Sequence, residues 1–158
     1  MKKYELTKET KVIGGKTLFR IRALRSFGDI KAGDLGGFIE NERNLSHEGN
    51  AWVSGDARVE DNARVDGDAW VDGNAQVSGD GLINSNNDYL CEKGLGSHNR
   101  SASFFKCKDG HIHVLCGCFD GNLDEFENKV KKEHGNSKYA KEYLGFIEVV
   151  KTHFEVRQ

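Results

Sequence analysis

The sequence predicts a mainly β protein of stacked repeats with a small α+β tail, and three observations support this. An aliphatic residue recurs at every sixth position from Val53 to Ile83, with Ala or Gly two positions before it. Residues 18 apart match in kind, as Trp52 and Trp70 do. Apolar residues at helical spacing follow only after Asn122. A fixed short period indicates stacked units rather than an ordinary globular sheet.

The repeat domain is predicted at residues 46–88, and from Gly49 to Asn84 it reads in blocks of six: GNAWVS, GDARVE, DNARVD, GDAWVD, GNAQVS and GDGLIN. In each block valine and alanine point to one side of a short strand, and Gly-Asp or Gly-Asn supplies a turn. The pattern resembles the hexapeptide-repeat family, and this resemblance implies a short left-handed parallel β-helix and a homotrimer. Six hexads make two coils, so we expect capping or self-assembly. An antiparallel meander is the alternative.

Residues 1–45 are predicted to form an N-terminal β cap. Strands over Tyr4–Val12 and Thr17–Leu24 flank Gly14-Gly15, which is typical of a hairpin. Leu35 lies 18 residues before Val53, so an irregular first coil is expected to begin there.

Residues 89–158 are predicted to form a ββαα module. Two strands, 101–108 and 111–119, flank Asp109-Gly110, a favoured two-residue hairpin turn. This register sets Cys107 opposite Ile112 and Lys106 opposite His113. One face then carries Phe105 and Cys107 with the core, and the other carries the histidines. Asn122 and Ser137 are the expected N-caps of two helices.

A longer resemblance covers most of the chain. The run FRIRALRSFGDIKAGDLGGFIENERNLSHEGNAWV resembles the N-terminal part of small hexapeptide-repeat proteins encoded by bacteriophages and prophages. The segments GSHNRSASFFKCKDG, CGCFDGNLDEFENKV and EHGNSKYAKEYL continue it. The resemblance implies a phage-type accessory protein more than it implies a chemistry.

Composition narrows the class of protein. With 158 residues and a net charge of −2, nothing requires a nucleic-acid partner. No apolar run approaches a membrane span, and no signal peptide is expected before Lys2. Four cysteines in such a chain favour free thiols in a reducing compartment, so we expect a host-cytoplasmic protein.

The sequence predicts neither a metal site nor an enzyme. Cys107, His111, His113, Cys116 and Cys118 have the ligand types of a zinc site, but strand alternation separates the histidines from the cysteines, so no metal is predicted. Acyltransferases of the hexapeptide family use a histidine base. His47 and His98 are the candidates here, without an acid or nucleophile partner, so no enzyme and no cofactor are predicted.

The candidate ligand site is the loop from Gly94 to Arg100. Glycine backbone N–H groups can converge on an anion, and an arginine fork can bind phosphate. The predicted ligand-binding residues are Gly96, Ser97, His98, Asn99 and Arg100, with Lys106 and His113 as supporting walls. The alternative is a connecting turn.

We therefore expect an anti-defence binding protein that sequesters an anionic, nucleotide-like host immune signal at oligomer clefts. The alternatives are an inhibitor that blocks a host defence protein through the repeat face, an acyltransferase-like enzyme and an oligomerisation scaffold. Trp52 and Trp70, stacked on an outward face, are the predicted oligomer interface.

Overall fold

The chain divides into two compact units, Met1–Asn86 and Asn87–Gln158. The structure is a computed structural model, and it describes residues 2–96 and 100–155. The predicted cap and nearly all of the repeats belong to the first unit, and the tail forms the second.

The predicted fold class, a left-handed parallel β-helix, is wrong. The described residues form thirteen strands in four separate sheets, which are mixed or antiparallel beyond the repeats, and two helices follow at the C-terminal end. The repeat strands are only two residues long, so each ladder is too short to define one continuous sheet. The longer antiparallel strands at the N-terminus instead extend one of these ladders into a mixed sheet.

The predicted N-terminal hairpin is confirmed. Strands β1 (Tyr4–Ile13) and β2 (Lys16–Ala23) pair antiparallel around Gly14 and Gly15, both of which have positive φ, as a tight hairpin turn requires. Strand β3 (Leu35–Ile39) pairs antiparallel with β2.

The repeats form three short parallel ladders. Their strands are β4 (Trp52–Val53), β5 (Arg58–Val59), β6 (Arg64–Val65), β7 (Trp70–Val71), β8 (Gln76–Val77) and β9 (Leu82–Ile83). The pairs are β4 with β7, β5 with β8 and β6 with β9, so each residue pairs with the residue 18 positions later. The 18-residue match seen in the sequence therefore corresponds to real pairing.

The 18-residue register expected for an irregular first coil at Leu35 is wrong, although β3, which begins at Leu35, does pair parallel with a repeat strand. Strand β3 joins β5 with Ile39 opposite Val59, an offset of 20 residues rather than 18. A bridge between Leu45 and Val65 has the same offset. Leu35 itself is 58% exposed, so it does not occupy an inward repeat position.

The inward positions of the repeats make a narrow core. Their exposure is at most 1% at Ala51, Val53, Ala57, Val59, Ala63, Val65, Ala69, Val71, Ala75, Val77 and Ile83. Trp52 is also buried, at 1% exposure, and its indole meets the rings of Tyr4 and Phe27 edge to face. Trp70 is half-buried. The prediction of an outward tryptophan pair is therefore corrected, because the chain itself covers Trp52.

The second unit contains four strands before its two helices, so the predicted ββαα order lacks the first and last strands. The elements are β10 (Tyr89–Leu95), β11 (Arg100–Lys106), β12 (Ile112–Cys116), β13 (Phe119–Asn122), α1 (Leu123–His134) and α2 (Lys138–His153). The strands form one antiparallel sheet in chain order.

Both predicted helix caps are confirmed. The Asn122 side chain accepts from the backbone N–H of Glu125, whose carboxylate accepts in return from the Asn122 N–H, a capping box. The Ser137 hydroxyl oxygen accepts from the Ala140 N–H at the start of α2. Neither helix in the described part of the chain has the length and apolar character that a membrane crossing requires.

The predicted register of the β11–β12 hairpin is wrong by one residue. The Cys107 N–H donates to the His111 carbonyl oxygen at 2.9 Å, so the loop holds three residues, 108–110, instead of two. Gly110 has φ of +90°, as expected for the last position of a three-residue hairpin loop. Phe105 therefore lies opposite His113, and Phe104 lies opposite Val114.

Because side chains alternate along a strand, this one-residue shift in register changes which side chains of β11 and β12 lie on the same face of the sheet. Phe104, Val114 and Cys116 now face the helices and pack with Phe126 and Ile147 in the core of the second unit. Cys107 moves to the opposite face, where His111 and His113 also lie.

Candidate functional site

The second unit contains a cavity of about 360 Å³ between its sheet and its helices. Its lining residues are Arg100, Cys116, Cys118, Phe119, Phe126, Lys129, Val130, Glu133, His134 and Tyr143. This volume is within the range of small-molecule sites, about 300–1,000 Å³. The lining combines cationic, aromatic and thiol groups, so the cavity is the main candidate site.

Arg100 supplies the principal charge of the cavity. It begins β11 and its side chain lies against Gly117, where an added Cβ would clash with the guanidinium. Gly117 has φ of +59° in the two-residue turn between β12 and β13, a backbone conformation that glycine permits. No acidic side chain in residues 2–96 and 100–155 forms an ion pair with Arg100. Within those residues, therefore, no carboxylate competes for its guanidinium fork, a group suited to binding anions.

Helix α1 forms the opposite wall. The Lys129 ammonium lies 3.4 Å from the Glu133 carboxylate one turn later, and 5.8 Å from the centre of the Phe119 ring. The His134 imidazole lies parallel to the Tyr143 ring, with 5.6 Å between centroids. Lys129 is about half exposed, so its charge is partly screened and partly balanced by Glu133.

Two of the lining groups, the Tyr143 hydroxyl and the Cys116 thiol, are protonated at neutral pH. Burial, and after it the neighbouring Cys116, raises the pKa of Tyr143 to about 12. Burial also raises the pKa of the Cys116 thiol, against opposing effects of Tyr143 and Arg100. At neutral pH both groups stay protonated and neutral, so the thiol is a poor nucleophile. The arrangement suits binding better than covalent catalysis.

Two of the predicted ligand-binding residues, Gly96 and Arg100, contact or line the cavity wall. Arg100 lines the cavity, and Gly96, with φ of +74°, packs so closely on the Tyr143 phenol that a Cβ would clash with it. The Gly96 N–H donates to the Glu142 carboxylate at 2.6 Å, so an anion from the chain already uses this donor. Ser97, His98 and Asn99 lie outside the described residues.

The other predicted residues do not join Arg100. Lys106 is at the far end of β11, about 20 Å away along an extended strand, and its side chain is exposed. His113 lies on the sheet face opposite the helices. Trp52 and Trp70 belong to the first unit.

Sequence reasoning missed most of the lining. Phe126 and Tyr143 lie at helical spacing in an apolar stripe, so the sequence pattern indicates only core positions for them. Lys129 and Glu133 lie beside that stripe as charged residues do in any amphipathic helix, so they give no signal of a cavity. No local pattern connects them to Arg100.

His47, the other candidate base, has a structural role. Its ring stacks on Tyr4 at 4.1 Å between centroids, and its Nδ1 accepts from the Lys3 N–H at 3.2 Å. Burial lowers the pKa of His47, and nearby Glu42 partly opposes this effect. Lys3 is itself fully buried, with its ammonium bound to the Ala51 carbonyl oxygen at 2.5 Å. This cluster joins the chain start to the repeats.

A second set of reactive side chains lies on the other face of the second sheet. The ligand atoms of Cys107, His111 and His113 are all within 4.8 Å of one another. The separation predicted from strand alternation does not occur, because the three-residue loop moves Cys107 to the histidine face.

Comparison with models of known protein families gives no match, and comparison with curated protein sequences gives none either. The cavity and the Cys–His cluster must therefore be interpreted from their own chemistry.

Proposed function

We propose that this chain binds a small anionic, nucleotide-like molecule in the cavity of its second unit. As a phage-type accessory protein in the bacterial cytoplasm, it would sequester such a molecule as a host immune signal. The observation that carries the proposal is the Arg100 guanidinium, which lines a cavity of about 360 Å³ without an acidic partner in the described chain.

The lining supports a ligand with an anionic end and a flat apolar end. Arg100 offers two parallel donors to a phosphate, and Lys129, partly balanced by Glu133, adds positive charge on the α1 side. Phe119 and Phe126 offer aromatic surface, with 5.1 Å between their centroids. A nucleotide has both a phosphate and a base that stacks on aromatic rings.

Sequestration is favoured over turnover because two of the described lining residues that could act as nucleophiles, Cys116 and Tyr143, are not activated. The Cys116 thiol and the Tyr143 hydroxyl both have raised pKa values, so neither is ionised at neutral pH. The cavity lies within one chain, so binding does not require the homotrimer that the sequence predicts. The trimer remains a prediction, and light scattering at micromolar concentration checks it.

The test is thermal unfolding of the full chain with a panel of linear and cyclic nucleotides, each paired with its nucleoside. A ligand present at 100 times its dissociation constant stabilises the folded state by about 2.7 kcal/mol. The nucleoside should give little shift, because it lacks the phosphate. Chromatography after incubation should recover the nucleotide unchanged, whereas a new product would indicate an enzyme.

Calorimetry with the best ligand then tests the residues. Arg100→Ala should weaken binding at least tenfold, and Arg100→Lys should fall between, because an ammonium keeps the charge and loses the fork. Lys132→Ala is the matched control for Lys129→Ala, because Lys132 is an exposed lysine of the same helix that does not line the cavity. Equal affinity in wild type and Arg100→Ala contradicts the proposal, as does a panel without any stabilising nucleotide. The blocking of a host protein would then be the leading hypothesis.

A further inference from the structure

The second sheet places a thiol and two imidazoles on one face, at the end of the β11–β12 hairpin. Cys107 lies across the loop from His111, and Phe105 lies directly opposite His113. Residues opposite each other, and residues two apart on a strand, share a face. The spacing Cys-x₃-His-x-His around a three-residue loop therefore directs three ligand atoms to one point.

The two histidines face each other through nitrogens that can both accept. Nε2 of His111 lies 3.2 Å from Nδ1 of His113. The distal nitrogens face carboxylates: Nδ1 of His111 is 2.5 Å from Asp109, and Nε2 of His113 is 2.5 Å from Asp120. A carboxylate only accepts, so each distal nitrogen carries the proton. Two lone pairs then point toward each other, and a cation between them would satisfy both.

We propose that Cys107 Sγ, His111 Nε2 and His113 Nδ1 bind a Zn²⁺ ion. This site is separate from the cavity, which lies on the helix side of the sheet. Asp109 and Asp120 are positioning residues, which hold the two imidazoles in the tautomers that bind metal. Three protein ligands leave one tetrahedral position for water.

The distances agree with a tetrahedral ion. Zn–N bonds of about 2.0–2.1 Å separate two nitrogen ligands by about 3.3 Å, close to the 3.2 Å observed. A Zn–S bond of about 2.3 Å places sulfur about 3.6 Å from each nitrogen. The ligand atoms of the three residues all lie within 4.8 Å of one another, a limit about 1 Å longer than this separation.

The surroundings favour a transition metal over a hard cation. Thiolate and imidazole ligands select zinc and its neighbours, whereas Mg²⁺ and Ca²⁺ require oxygen ligands. Cys107 is buried, and His113 packs against the buried Phe105 ring with 5.4 Å between centroids, so two ligands are held by the sheet. The His111 side chain is 40% exposed, which leaves an entry path for the ion.

The experiment uses the tag-free full chain, stripped with a chelator and titrated with Zn²⁺ against a competing zinc indicator. One equivalent should bind, and thermal unfolding should shift upward with Zn²⁺. Titration with Co²⁺ should give the intense ligand-field bands of a tetrahedral ion and a thiolate charge-transfer band. Weak octahedral bands without charge transfer would overturn the proposal and leave a hydrogen-bonded histidine pair.

Variants assign the ligands. Cys107→Ser should abolish the charge-transfer band, and His113→Gln should weaken Zn²⁺ binding at least tenfold. Asp120→Asn should weaken it about 10–100-fold while keeping the tetrahedral spectrum, because it removes only the support of His113. Cys118→Ser and His47→Gln are the matched controls and should bind as wild type does. Circular dichroism checks folding, and wild-type affinity in both Cys107→Ser and His113→Gln would refute the site.

Discussion

The repeats of the first unit and the β11–β12 hairpin of the second unit differ in how their pairing is specified. In the repeats, three ladders share one offset of 18 residues, and like residues pair, as Trp52 does with Trp70. In the hairpin, one loop sets the register of both strands, and a change of one residue there alters every pair.

The hydrophobic pattern explains why the register of the β11–β12 hairpin is harder to predict from the sequence. Along each hexad, alanine and valine are buried and the residue between them is mostly half-exposed, so only one register keeps the core apolar. In β11, the adjacent Phe104 and Phe105 are both fully buried. When both faces of a strand are apolar, alternation cannot distinguish between registers, and loop geometry decides.

The largest expected effect is at the inward position of a repeat. Val65→Asp places a carboxyl group among fully buried neighbours, and we expect the free energy of unfolding to fall by about 4 kcal/mol or more. Urea unfolding measures this. Val12→Asp, the same change at a residue 72% exposed, should cost less than about 0.5 kcal/mol. A Val65→Asp protein as stable as wild type would show that Val65 is not inward.

Paired positions in the repeats should differ in how much they contribute to the free energy of unfolding. Trp52→Ala should lower the free energy of unfolding by about 3–5 kcal/mol, because the indole is buried against Tyr4 and Phe27. Trp70→Ala, at the paired but half-buried position, should cost about 1–2 kcal/mol. Equal losses in chemical unfolding would mean that the N-terminal segment does not cover Trp52 as described.

A smaller effect is expected at the hairpin loop. Gly110→Ala introduces a Cβ at φ of +90° in open space, so backbone strain alone should cost about 1–2 kcal/mol. Gly73→Ala, in a repeat turn with φ of +66° and open space, should cost a similar amount. Gly145→Ala, inside α2, should instead stabilise by up to about 1 kcal/mol. A neutral Gly110→Ala would contradict the three-residue loop.

The smallest expected effect is a pH dependence of stability that arises from His47 in the first unit. Burial lowers the pKa of His47 below its ordinary value of 6.5, so the unfolded chain takes up this proton at a higher pH than the folded chain. The contribution to stability is complete above pH 6.5 and falls as the pH drops through that value. His47→Gln should show a flatter dependence of unfolding free energy on pH in this window. Parallel pH profiles of the unfolding free energy in wild type and His47→Gln would contradict this prediction.

The sequence by itself determined the features that depend on near neighbours or on repetition. The turn at Gly14-Gly15 and the caps at Asn122 and Ser137 follow from local backbone and hydrogen-bond chemistry. The 18-residue pairing follows from six similar hexads, each of which supports the same alignment. Repetition compensates for strands too short to be recognised singly.

The tertiary structure decided everything that depends on distant partners. Strands β10 and β13 exist because β11 and β12 offer them edges, although Glu92, Lys93 and Gly121 make weak strand sequences. The loop moved Cys107 to the histidine face, and helix packing brought Tyr143 to Arg100. Such contacts join residues far apart in the chain, and no local propensity encodes them, because burial and packing choose among registers and faces that are locally equivalent.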